Sequence, residues 1–178
     1  MRNKIFWITR TGVLLAVLLL LQTLSKPAGQ LVTGSCVNAV LAVSVLFAGL
    51  GSGLTVALIS PIFAFVLGIA PQVLTVPAIM AGNAVFVTAL HFAGGKQLWR
   101  NAIAWLGAAL CKFAILYILV KYGICGILAD GLLAQGLLKA PMLTALPATF
   151  GAAQLVTALI GGGVAMLITP VLTKALRR

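Results

Sequence analysis

Residues 103–120 read IAWLGAALCKFAILYILV, a run of eighteen residues with a single charge, Lys112. A helix needs about 20 mostly apolar residues to cross a bilayer, so this run is predicted to span a membrane with a cation near its middle. A charge at that depth costs a few kcal/mol and usually faces a protein interior or a water-filled cavity. The only acidic residue, Asp130, lies well outside the run. The missing counter-charge predicts that Lys112 meets an anionic ligand.

The composition of the whole chain is that of a polytopic membrane protein. Of its 178 residues, 62% are hydrophobic and 7% are charged, and the mean hydropathy is +1.21; soluble domains carry about 25% charged residues. The basic residues behind the net charge of +11 flank apolar segments, which predicts membrane topology and not a nucleic-acid partner. We expect one transmembrane domain over residues 1–178, with a first apolar stretch too long for a cleavable signal.

Six apolar segments predict an all-α bundle of six transmembrane helices. The short connection GLGSG joins the second and third segments, and Pro61 in the third is expected to kink or break the helix, because proline removes a backbone donor. The predicted spans are Ile5 to Leu24, Leu31 to Ala48, Ser52 to Gly68, Leu74 to Phe92, Asn101 to Tyr122 and Pro147 to Leu172.

The stretch between the fifth and sixth spans, Gly123 to Leu146, is interrupted by glycines and holds Asp130, Gln135 and Lys139. Its apolar runs are too short to span, so it is predicted to be a long outer loop that re-enters the membrane or lies on its surface as a lid. The alternative is a seventh, weakly hydrophobic span.

The distribution of basic residues predicts the orientation. With six spans, eight of them fall on one side and three on the other, which places both termini in the cytoplasm. The three outer residues are Lys26, Lys121 and Lys139, and the eight inner ones are Arg2, Lys4, Arg10, Lys96, Arg100, Lys174, Arg177 and Arg178.

Polar residues of four predicted spans lie at a similar depth, about 10–17 Å from the outer face at 1.5 Å per residue. A substrate site with apolar walls and a few placed polar groups has this pattern. The alternative is that the amides form helix–helix hydrogen bonds that only hold the bundle together. The candidate substrate-binding residues are Lys112, Asn83, Gln154, Asn38, Tyr117 and Thr157.

Enzyme signatures are absent: the sequence has no paired carboxylates, no HExxH motif, no nucleophile elbow and no phosphate loop. We therefore expect no catalytic residues, no bound metal and no cofactor. A single acid also disfavours ion coupling by this chain, so a transporter of this kind would need a partner that supplies energy.

Pairs of small residues four positions apart allow helices to approach closely. Those of the fifth and sixth spans are expected to pack internally. Gly12 and Ala16, in the cytoplasmic half of the first span, are instead predicted to form a docking face for a partner.

These features resemble the substrate-binding S components of energy-coupling-factor (ECF) vitamin transporters. The segment that carries the resemblance is GQLVTGSCVNAVLAVSVLFAGLGSGLTVALISPIFAFVLGIAP, Gly29 to Pro71, a tight hairpin of two spans followed by a proline-containing break. The family has a motif of alanines spaced by four on the first helix, and Gly12 and Ala16 match its spacing with glycine in the first position. In this family the motif packs on the coupling subunit.

The resemblance implies a subunit in the plasma membrane of a prokaryote. It would capture a small micronutrient outside, within membrane lipid, and work with an ECF coupling transmembrane subunit and two ATPase subunits. Two alternatives remain at this point: a stand-alone secondary transporter or channel, and a membrane scaffold protein without a ligand.

Overall fold

The computed structural model of the protein describes residues 2–69, 72–95 and 98–175, which form helices joined by short turns and contain no strand. Pro71, Lys96, Arg177 and Arg178, which entered the sequence predictions, lie outside these residues. Short 3₁₀ turns at Lys26–Ala28 and Val73–Thr75 connect helices, and a π-helical segment, Ile118–Ile127, extends α5. The α-helices are α1 Arg2–Ser25, α2 Gln30–Ala48, α3 Leu50–Val66, α4 Val76–Ala93, α5 Leu98–Tyr117, α6 Ala129–Ala134, α7 Met142–Thr149 and α8 Ala152–Ala175.

Five helical stretches of the described chain are long and apolar enough to cross a membrane, and the predicted all-helical fold is confirmed for the described residues. The helix α3, with 17 residues, is also apolar but shorter than the other five. At 1.5 Å per residue it is about 25 Å long, slightly less than a typical hydrocarbon core. The count of six spans and the orientation of the bundle stay predictions.

Contacts between connections define two ends of the bundle. At the end that we call the lid end, the Lys26 ammonium donates to the carbonyl of Gly68 (2.8 Å), which joins the α1–α2 connection to the end of α3. The Gln72 amide lies 3.1 Å from the Met142 sulfur, so the α3–α4 connection meets α7 there. At the opposite end, the basic end, Arg10 lies over the ring of Phe47, where α2 turns into α3.

The helix α2 lies at the centre and makes its most extensive contacts with α8. The two backbones touch: a Cβ on Gly161 would lie 2.4 Å from the carbonyl oxygen of Ser35. The small residues that the sequence assigned to internal packing are buried here, with Ala104, Ala108 and Ala158 all 3% exposed or less. The core of the bundle therefore depends on small residues that let the helices approach closely.

The tight turn between α2 and α3 needs one residue, Gly49, whose φ of +88° suits glycine. Of the two outcomes expected at Pro61, a kink or a break, the break does not occur, because α3 continues through Pro61 to Val66. The proline changes the hydrogen bonding of the helix and does not end it.

Two predicted boundaries at the lid end differ from the structure. The helical chain of α5 continues as a π-helix to Ile127 and does not end at Tyr122. Pro147 lies inside the short helix α7 and does not begin the last long helix, which starts at Ala152. Apolar composition predicted these helices but not where one ended and the next began, because the sequence there stays apolar on both sides of each boundary.

Trp105 of α5 packs inside the bundle. The indole N–H of Trp105 donates to the carbonyl of Ala158 (3.2 Å), and its ring occupies the space that a side chain on Gly162 would need. Trp99, in contrast, is 62% exposed.

The helix α1 is held against the bundle by a narrow stripe of buried side chains. Within its described side chains, only Thr11, Leu18 and Gln22 are buried. Gly12 and Ala16 are exposed on another face, and a Cβ on Gly12 would meet nothing within 4 Å.

Candidate functional site

Lys112 is 2% exposed and contacts two side-chain amides from other helices. Its ammonium donates to Oδ1 of Asn38 on α2 (2.5 Å) and to Oδ1 of Asn83 on α4 (2.7 Å). It also lies 5.5 Å from the centre of the Phe86 ring, within the range of a cation–π interaction. Asp130 is exposed and is not among these partners. An ammonium has three donors, so the described residues leave one N–H without a strong acceptor.

Glycines bring the helices close enough for these contacts. A Cβ on Gly82 would lie 2.6 Å from the Leu116 side chain, so α4 and α5 approach closely one residue before Asn83 and one turn after Lys112. On α8, a Cβ added to Gly161 would lie 2.7 Å from Cβ of Asn38. Larger residues at Gly82 or Gly161 would move the amides away from the lysine.

Asn83 also approaches a backbone carbonyl that Pro61 leaves without its helical donor. A helical proline cannot donate to the carbonyl four residues earlier, which here is Ala57. The Nδ2 of Asn83 lies 3.5 Å from that Ala57 oxygen. The same amide therefore offers its oxygen to Lys112 and directs its nitrogen at the carbonyl that Pro61 leaves free.

A second amide extends the hydrogen-bond chain to α8. Nδ2 of Asn38 donates to Oγ1 of Thr157 (3.2 Å), and Thr157 donates in turn to the carbonyl of Gln154 (3.0 Å). Asn38 and Thr157 are almost fully buried. Each residue in this chain donates to the next one, and the last acceptor is the backbone carbonyl oxygen of Gln154.

The lysine and its amides face a cavity of about 110 Å³ toward the lid end. That volume corresponds to about three or four waters in the liquid. Its walls come from α1 to α5 and from the junction of α7 and α8. They include Asn38, Asn83 and Lys112 together with Gln22, Gln30, Thr33, Ser60, Pro61, Thr149, Phe150 and Gln154.

Two buried oxygens in the cavity wall have no hydrogen-bond partner among the described residues: Oε1 of Gln22 and Oγ of Ser60. Gln22 is 7% exposed and Ser60 1%. Several helical hydroxyls bond to the carbonyl four residues earlier, as Ser44 does to Val40 (2.7 Å), but Ser60 does not, and neither does Ser52, which is not among the residues lining the cavity. Buried polar groups of this kind require a water or a ligand atom to satisfy them.

The structure brings five of the six predicted substrate residues to one place. Lys112, Asn38, Asn83 and Thr157 form the hydrogen-bond chain, and Gln154 both ends the chain and lines the cavity.

Tyr117 lies apart from this group. Its hydroxyl accepts from Lys121 (2.7 Å), whose ammonium also lies over the rings of Tyr117 and Tyr122. Position 117 follows Lys112 by five residues, about 140° further around a helix, so it shares a level with the cavity but faces another direction.

Sequence reasoning missed Gln22 and Ser60. Neither was among the candidate substrate-binding residues. The spacing of Gln22, four residues after Leu18 and eleven after Thr11, was the available signal, because these three positions share one helical face.

The lid end covers the cavity with packed apolar residues. Phe150, 3% exposed, lies in its wall and packs with Leu146, Leu116 and Val120 in a second hydrophobic cluster. The short helix α7 and the π-helical segment thus contact each other directly above the polar group.

The site combines one lysine with amides and hydroxyls. Among the described residues, no group of three or more His, Cys, Asp or Glu side chains could hold a metal ion.

Comparison with known proteins gives no match: no family model, no curated protein and no solved structure matches this chain.

Proposed function

We propose that this protein is the substrate-binding subunit of an ECF-type importer and captures a small micronutrient that carries a carboxylate or phosphate. The observation that carries the proposal is Lys112, buried midway along α5 and its π-helical extension with two amide oxygens and no carboxylate around it. Amide dipoles disperse the charge of an ammonium but do not neutralise it. An anionic group in the adjacent cavity would neutralise this charge.

The unpartnered oxygens of Gln22 and Ser60 support a ligand with polar groups at more than one point. Gln22 Oε1 needs a donor, and Ser60 can donate or accept. Pockets for small organic ligands measure about 300–1,000 Å³, so a vitamin-sized molecule would require the segment at Thr149 and Phe150 to move outward and enlarge the 110 Å³ cavity.

The alternative of a scaffold protein without a ligand predicts backbone carbonyls as the partners of Lys112. Its partners are the side-chain oxygens of Asn38 and Asn83. The alternative of a secondary transporter or channel would need a site for a coupling ion or a pore, and the single acid of the chain, Asp130, is exposed and is not among the residues lining this cavity.

The test is mass spectrometry of small molecules released from the purified, detergent-solubilised protein. We expect wild type to retain a compound with a carboxylate or phosphate, and Lys112→Ala to lose it. Loss of one partner from a desolvated charge pair costs about 2–5 kcal/mol, or at least about 30-fold in affinity. Lys112→Arg is expected to restore little, because a planar guanidinium does not replace a compact ammonium.

Lys121→Ala is the matched control, since Lys121 is an exposed lysine of the same helical segment. It should retain the compound. Equal retention by wild type and Lys112→Ala would remove Lys112 from the binding site. Retention of no compound, or of an uncharged one, would reject the anionic ligand.

A further inference from the structure

A groove of about 540 Å³ lies on the outside of the bundle, away from the polar cavity. The helices α1 and α8 both pack against α2, and the groove runs between them with α2 as its floor. Its walls are apolar and include Val13 and Val17 of α1, Val40 and Val43 of α2, and Val164 and Ile168 of α8.

Among the described side chains, one charged residue lines this groove, and it lies at the basic end. The Arg10 guanidinium is held over the ring of Phe47 at 5.1 Å from the centroid, and both residues contribute to the groove. Arg2 and Lys4 precede Arg10 on the same helix. A guanidinium in this position can bind a phosphate through two parallel hydrogen bonds.

The length of the groove distinguishes between possible occupants. On α1 it extends from Thr9 to Leu21, about 18 Å at 1.5 Å per residue. That is slightly more than half the hydrocarbon thickness of about 30 Å, close to the depth of one leaflet. A membrane-spanning partner helix would need an apolar path along the whole of α1, whereas a lipid chain needs only one leaflet.

We propose that this groove is a binding site for an anionic phospholipid, with one acyl chain between α1 and α8 and the phosphate at Arg10. Surfaces that carry clustered basic residues attract anionic lipids by about 1 kcal/mol per Lys or Arg, or about five-fold. The lipid chain would cover the side of α1 that faces the groove, since only a narrow stripe of α1 is buried against the bundle. This site is separate from the proposed substrate site and does not depend on it.

The experiment is native mass spectrometry of the full-length protein with an equal mixture of phosphatidylglycerol and phosphatidylcholine of the same chain length. We expect wild type to favour phosphatidylglycerol in its first bound lipid by about five-fold. Arg10→Gln should reduce the preference to near one. Arg100→Gln, which removes an exposed basic residue that is not among those lining the groove, should leave it unchanged.

A second variant tests the groove apart from the charge. Val17→Trp places a large ring in the groove and should lower the binding of the first lipid of either kind, whereas Leu20→Trp, an exposed position on the same helix outside the groove, should not.

Equal binding of the two lipids by wild type, an unchanged preference in Arg10→Gln, or full binding by Val17→Trp would each overturn the proposal. Loss of a co-purifying membrane subunit in Val17→Trp, with lipid preference unchanged in Arg10→Gln, would assign the groove to a partner helix. Thermal unfolding of each variant shows that it is folded when the lipids are counted.

Discussion

At the scale of single residues, the arrangement around Lys112 makes the acceptors as important as the lysine. Asn38 and Asn83 each turn an oxygen toward the ammonium and are themselves 1% exposed. Removing an acceptor leaves a buried charge with fewer partners, which is strongly destabilising, typically about 3–5 kcal/mol. Removing the charge itself leaves two neutral oxygens without a hydrogen bond, which costs about 1–3 kcal/mol for each oxygen. It also removes the free-energy cost of burying an ammonium.

We therefore predict that Asn83→Leu lowers the free energy of unfolding by about 3 kcal/mol, and by clearly less when Lys112→Met is already present. A double-mutant cycle of unfolding in detergent measures the difference. The interaction energy between positions 83 and 112 should be about 1–3 kcal/mol. Additive effects of the two substitutions would show that the hydrogen bond between them contributes nothing.

The same residues show how far the sequence predicts the site. Depth in the membrane follows from position along the chain, and it correctly grouped Lys112 with Asn38 and Asn83. Direction around the helix does not follow from depth, which is why Tyr117 lies elsewhere. Gln22 and Ser60 were missed because a polar residue near a helix end or beside a proline has other common explanations, and only the packed structure reveals that their oxygens lack partners.

At the scale of helices, close approach depends on particular glycines. A Cβ on Gly161 would meet backbone atoms of α2 at 2.4 and 2.7 Å, and backbone cannot rotate away as a side chain can. We predict that Gly161→Ala separates α2 from α8 and destabilises the protein by about 1–3 kcal/mol. It should also lower retention of the proposed ligand, because Gly161 packs against Asn38.

The control for this prediction is Gly107→Ala in α5, where a Cβ would meet nothing within 4 Å. There the higher helix propensity of alanine should be neutral or stabilising by up to about 1 kcal/mol. Unfolding of both variants under the same conditions gives the comparison. A Gly161→Ala protein as stable as wild type would mean that the two helices do not touch as described.

Helix boundaries were less predictable than the helices themselves. Long apolar runs predicted α1, α2, α4, α5 and α8, because a bilayer imposes a minimum length. The π-helical end of α5 and the inclusion of Pro147 in α7 depend on how these segments pack against each other at the lid end, around Phe150 and Leu146. Local composition does not encode that contact.

At the scale of the whole molecule, the orientation rests on the distribution of basic residues, eight against three. We predict that the lid end faces outside. In a variant whose three cysteines, Cys36, Cys111 and Cys125, are replaced by serine, Ala134→Cys should react with a membrane-impermeant maleimide added to intact cells. Ala93→Cys, exposed at the basic end, should react only after the cells are opened. The reverse pattern would invert the orientation.

The exposed face of α1 gives the prediction that bears most directly on a multisubunit importer. Gly12 and Ala16 lie four residues apart with no side chain of the bundle over Gly12, a spacing that admits another helix at close range. We predict that replacing both with leucine prevents co-purification of the coupling subunit. Retention of the small molecule should persist, because the cavity meets α1 at Gln22, ten residues further along the helix.

Gly107→Leu is the matched control for that double variant, since it adds a leucine to an exposed glycine of α5 with open space around it. It should leave co-purification intact. If the Gly12 and Ala16 double variant still binds the coupling subunit, this face of α1 is not the docking surface. If it loses both the subunit and the small molecule, the two leucines disturb the bundle itself, and the separation of docking from ligand binding along α1 is wrong.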